Sequence, residues 1–115
     1  MRLRTIILLT LTLLFLPTIS PAQVPTVGYI TNQTLTTASS EYRVALGRGI
    51  KAFSVQLRGS YDLRIAFVVG ETATNYRTIK TSSSAIYYSP NVAWDGVIYL
   101  RCEQAAQVAE IEYWR

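Results

Sequence analysis

Side chains able to do acid–base chemistry are few in this chain, and none of them is a histidine. That removes the usual general base, most zinc sites and the serine or cysteine triads built on an imidazole. Two suitably spaced carboxylates would still suffice for glycoside hydrolysis. The candidates are Glu41, Asp62, Glu71, Asp95, Glu103, Glu110 and Glu112. Most of them alternate with apolar residues, which places them on solvent-facing sides of strands as solubilising charges. They are also too scattered for a calcium loop, which gathers its oxygen ligands within about a dozen residues. The reading is therefore a non-enzyme with no catalytic residue, no metal site and no cofactor.

Cys102 is the single cysteine. Its phase with Ile98 and Leu100 puts it inward, where a thiol behaves as a small hydrophobe. A lone cysteine forms no internal bridge, so stability must come from the core.

Aromatic side chains offer the remaining chemistry. The eight tyrosines and two tryptophans exceed what a small core needs, and their flat faces and polar tips suit sugar stacking or protein contacts. Trp94 falls in a loop, Tyr99 phases outward, and one of the neighbours Tyr87 and Tyr88 must do the same. These four are the candidate ligand-binding residues. A structural role competes with that one, because strands favour tyrosine and loop tryptophans cap small cores. Arg58, Arg64, Arg77 and Arg101 could interleave with tyrosines along a nucleic-acid strand. The pattern instead predicts cross-strand pairs with Glu110, Glu112 and Asp62.

The elements that must position these residues alternate with period two, and their breaks are turn residues. A first strand is expected over Tyr29–Thr37. The next is Glu41–Leu46, with Tyr42, Val44 and Leu46 on one face. After the Gly47-Arg48-Gly49 turn, Ile50–Arg58 turns Phe53, Val55 and Leu57 inward. Gly59-Ser60 reads as a two-residue hairpin loop, leading into Tyr61–Val69 with Leu63, Ile65, Phe67 and Val69 inward. Beyond the polar loop Gly70–Asn75, strands are expected over Tyr76–Lys80, Ala85–Ser89, Val97–Cys102 and Val108–Trp114, with a loop at Pro90–Gly96. Seven or eight strands and no helix predict an all-β fold, an antiparallel β-sandwich of Ig-like or jelly-roll-like form.

This domain is preceded by a segment of different character. Arg2 and Arg4, an apolar run from Ile6 to Leu16, Pro17, and the small residues of Ser20-Pro21-Ala22 have the layout of a secretory signal cleaved after Ala22. The expected organisation is thus a signal peptide over 1–22 and one β-sandwich domain over 23–115. The run is shorter than the ~20 residues of a membrane-spanning helix, which predicts a secreted or periplasmic protein without a membrane partner once cleaved. Loss of Arg2 and Arg4 from the eleven basic residues leaves nine against seven acidic ones. That balance provides no strong field for nucleic acid. Asn32-Gln33-Thr34 also matches the N-glycosylation acceptor pattern.

The runs Thr36–Leu46, Lys51–Arg58 and Asp62–Phe67, with Val97-Ile98-Tyr99-Leu100 and Glu110–Trp114, resemble small β-sandwich proteins encoded among tailed-phage virion genes. The resemblance implies a structural or decorating part of a particle, self-associating through strand edges, and transfers no functional residue. Such parts assemble in the cytoplasm, so the signal segment sets this chain apart from them. A virion-associated or anchored protein is the alternative location. The alternative function is a secreted module that binds a glycan or protein surface through its tyrosines and Trp94.

Overall fold

The computed structural model describes residues 28–88 and 94–115. The expected signal segment and its cleavage point after Ala22 lie outside the described residues, as does the start of the Pro90–Gly96 loop. Among these residues eight strands form, β1 (Gly28–Leu35), β2 (Tyr42–Ala45), β3 (Ala52–Leu57), β4 (Leu63–Ala66), β5 (Arg77–Ile79), β6 (Ser84–Tyr88), β7 (Val97–Arg101) and β8 (Gln107–Trp114). A 3-10 turn at Glu71–Ala73 interrupts the loop between β4 and β5.

The strands make two four-stranded antiparallel sheets, ordered β1-β8-β3-β6 and β2-β7-β4-β5. First pairs with last, second with seventh, third with sixth and fourth with fifth. The chain is therefore a long hairpin rolled up on itself, further closed by the β3–β8 and β4–β7 pairs.

Alternation explains the core. The first sheet contributes Leu35, Phe53, Val55, Leu57, Ala109 and Ile111, and the second Val44, Leu63, Ile65, Ile79, Ile98 and Leu100, all to one buried cluster. Each large aliphatic or aromatic side chain so buried stabilises by roughly 1.5–3 kcal/mol. Cys102 lies 1% exposed among them, its thiol directed at the Asp62 carbonyl oxygen 3.6 Å away.

Two expectations are corrected. Gly59-Ser60 does not close a hairpin, because β3 pairs with β6 and β8 while β4 pairs with β5 and β7. The chain crosses from one sheet to the other at this corner. The inward phase of Tyr61–Val69 also stops early. Leu63 and Ile65 are buried, but the strand ends at Ala66; Phe67 is half-exposed, with its ring still turned toward Phe53, and Val69 is exposed. The partner strand β5 reaches only as far as Ile65. Beyond that point the backbone turns instead, with Glu71 N–H donating to the Val68 carbonyl.

Candidate functional site

A cleft of about 530 Å³ lies beside the β4–β5 edge of the second sheet, within the ~300–1,000 Å³ typical of small-molecule sites. Its charged lining is assembled by strand register. Leu63 is opposite Ile79, which brings Asp62 next to the end of β5. Lys80 Nζ donates to Asp62 Oδ2 at 3.1 Å, while the Thr81 backbone N–H and hydroxyl donate to Oδ1 at 2.9 and 3.2 Å. These bonds, led by the Thr81 N–H and then Lys80, hold the Asp62 carboxyl below its ordinary range.

The second charged group resolves a conflict. Arg64 on β4 lies directly opposite Arg101 on β7, a like-charge pair that would destabilise the sheet. Glu103 offsets it, with one oxygen, Oε1, 3.1 Å from Arg64 Nη1 and 2.9 Å from Arg101 Nε. The other oxygen accepts a hydrogen bond from the Ser39 hydroxyl. The bonds from Ser39 and Arg101 depress the Glu103 pKa. Arg64 also places its guanidinium 4.2 Å from the centre of the Tyr76 ring, a cation–π contact that fixes the tyrosine.

Around these pairs the lining is neutral: Ser60, Tyr61, Tyr76, Thr78 and Thr81 offer hydroxyls, and Gln104 an amide. Tyr61 and Tyr76 are 46% and 38% exposed, so both present ring surface to solvent.

The four aromatic residues singled out in the sequence occupy three separate places. Trp94 and Tyr87 come together, each stacked on Phe53 with ring centres 5.3 and 5.0 Å apart, and Phe67 meets all three rings edge-on. Burial raises the Tyr87 pKa against the opposing influence of nearby Arg77. Tyr88 points the other way from β6 and is 77% exposed. Tyr99 is half-buried on the outer face of the second sheet, opposite Arg43 and Ala66. None of the four lines the cleft.

The charge pairing differs from expectation in part. Arg58 pairs with Glu110 at 2.7 Å, as the alternation predicts. Asp62 pairs with Lys80, and Arg64 and Arg101 with Glu103. Register decides these partners, and register is set by neighbours distant in sequence. Tyr61, Tyr76 and Glu103 were missed as site residues for the same reason. Only the outward phase of Asp62 and Arg64 hinted at a polar patch.

Across the first sheet, Ile30, Glu112, Ser54 and Ile86 form one outward row. Its apolar members sit on the edge strands β1 and β6 and are 75% and 60% exposed. Among the described residues, no group of three or more Cys, Asp or Glu is gathered in a way that could hold a metal ion, and no helix is long and apolar enough to cross a membrane.

No protein-family model matches the chain, and no curated protein matches it significantly.

Proposed function

We propose that this chain is an exported, non-catalytic binding module with a jelly-roll sandwich fold, and that the Asp62–Glu103 cleft is its ligand seat. The strand order supports the fold reading, since eight strands paired first-to-last in two sheets are those of a double-sheet roll. Such rolls host viral capsid and lectin domains alike, so the site must carry the function. The observation that carries it is the cleft itself, where fixed polar groups and two half-exposed tyrosines converge.

Four of the carboxylates are poorly suited to serve as a general acid. Glu41, Asp62, Glu103 and Glu110 each accept hydrogen bonds that favour the ionised form. A general acid needs the opposite, a carboxyl kept protonated near neutral pH.

The test is expression of the whole reading frame, with intact-mass measurement in each cell fraction, followed by ligand titration of the exported species by nuclear magnetic resonance. A product beginning at Gln23 whose Tyr61 and Tyr76 resonances shift on saturable binding is expected. A full-length cytoplasmic product, or binding that shifts only Trp94 and Tyr88, counts against the proposal.

A second reading is carried by Ile30, Ile86 and Tyr88, exposed on the edge strands of the first sheet. Unpaired edges bearing apolar residues suit self-association into a structural part. A defined oligomer that dissociates on Tyr88→Glu would favour this reading over the monomeric binder.

A further inference from the structure

We propose that a second cavity, between the edge strands β5 and β6, binds a carboxylate carried on a flat apolar body, with Tyr87 and Arg77 receiving the carboxylate. This cavity, of about 410 Å³, is separate from the Asp62–Glu103 cleft, and among the described residues Tyr76 alone lines both.

The first support is a buried hydroxyl without a partner. Tyr87 stacks on Phe53 with ring centres 5.0 Å apart, and its hydroxyl is buried with no hydrogen-bond partner among the described residues. An unmet buried donor destabilises a fold, and phenylalanine would make the same ring contacts without it. Glu71 and Asn75 line the same cavity, yet neither supplies the hydroxyl with an acceptor. The acceptor comes from outside the chain.

Arg77 is the second support. It shares the inward phase of β5 with buried Ile79 and lies opposite buried Ile65, where alternation calls for an apolar residue. Its guanidinium carbon is 5.8 Å from the centre of the Tyr87 ring, and no ion pair joins it to an acid among the described residues. A guanidinium only donates, so it cannot meet the Tyr87 proton and calls for an acceptor of its own. One carboxylate serves both, since its two oxygens accept from separate donors. Glu71, the one acid in the lining, opposes any second negative charge on the ligand.

Phe67 and Tyr76, both half-exposed, supply flat walls for the apolar body. The Tyr87 hydroxyl is covered in the free protein, so the ligand enters as the exposed Arg77 side chain turns off the ring.

The test titrates the purified protein with phenylacetate, its neutral analogue phenylacetamide, its cationic analogue phenethylamine, and acetate. Nuclear magnetic resonance and thermal unfolding follow the binding. Phenylacetate should bind saturably, shift the Tyr87 and Phe67 resonances but not that of Tyr61, and weaken several-fold between about 0.05 and about 0.5 M salt. Acetate, which has no ring, should bind far less. Arg77→Gln should weaken phenylacetate about tenfold or more, and Glu71→Gln should tighten it. Tyr87→Phe should weaken it too, while raising the thermal midpoint of the ligand-free protein because an unmet donor is gone. Circular dichroism of each variant separates lost binding from lost folding.

Phenylacetamide or phenethylamine binding as tightly as phenylacetate overturns the carboxylate assignment. A Tyr87→Phe variant with unchanged affinity and a lower midpoint means that water alone meets the hydroxyl, which overturns its role. Absence of saturable binding by every probe overturns the site. None of these results bears on the Asp62–Glu103 cleft, whose occupation is read at Tyr61.

Discussion

Glu41 and Thr72 meet across the outer face of the second sheet, with the Thr72 hydroxyl donating to Glu41 Oε1 at 2.7 Å. Thr72 is the one buried polar residue among those described, 1% exposed. Its N–H also reaches Glu41 Oε1, at 3.3 Å, while the Gly70 N–H donates to Oε2 at 2.9 Å. One carboxylate at the entrance to β2 thereby holds the turn that leads to Tyr76. Glu41→Ala should destabilise the fold by about 1–3 kcal/mol, because two donors of a buried residue lose their acceptor. Urea unfolding of the variant checks this, and a change under about 0.5 kcal/mol would show the clamp to be incidental.

Acid should loosen the same contacts. For Glu41, burial pushes the pKa up, but the bonds from Thr72 and Gly70 and the Arg101 charge bring it below its ordinary 4.5. Asp62, Glu103 and Glu110 are depressed as well. Groups with lower folded than unfolded pKa values add stability that is complete above the unfolded value and is lost as pH falls through the folded one. The thermal midpoint should therefore be insensitive to these groups above about pH 5 and decline steadily below it. Glu41→Gln should flatten that decline. A midpoint that rises on acidification would contradict the account.

Phe53 is the hub of the aromatic cluster, and its loss should be severe. Phe53→Ala removes a side chain 1% exposed and the surface on which Tyr87 and Trp94 stack, at a cost of about 3–5 kcal/mol. Trp94→Ala should cost less, since the indole is only partly buried, and should leave ligand affinity at the cleft unchanged. Paired denaturation and binding curves for the two variants decide the point. Selective loss of binding in Trp94→Ala, with stability intact, would return that residue to the ligand site.

Gly96 should tolerate no side chain. Its φ is +76°, and an added Cβ would overlap the Gly47 carbonyl, in a glycine that itself sits at +90°. The approach matters because the Leu46 N–H donates to the Gly96 carbonyl at 2.7 Å, tying the end of β2 to the start of β7. Strain and steric overlap together should place Gly96→Ala more than about 2 kcal/mol below the parent. Gly49→Ala, with open space around it but φ +79°, should show the smaller cost of strain alone. Equal effects of the two would rule out the close approach as the cause.

Local alternation was enough to decide which residues face inward. Phe53, Val55 and Leu57, then Leu63 and Ile65, then Ile98, Leu100 and Cys102 are buried as period-two alternation requires, because successive side chains of a strand point to opposite faces. It also determined that the elements are strands and roughly where they end, through the glycines and serines between them. Alternation reads the same in either sheet, however, and says nothing about which edge a strand joins. The Gly59-Ser60 corner shows this, with two adjacent and well-patterned strands entering different sheets. The cleft depended on the same undetermined quantity. Arg64 faces Arg101, Glu103 bridges them, and Asp62 meets Lys80 only because β4 lies between β7 and β5. Those pairings join residues up to some forty positions apart. They are selected by the packing of all eight strands around one core, a collective free energy to which no local run of sequence contributes enough to be read alone.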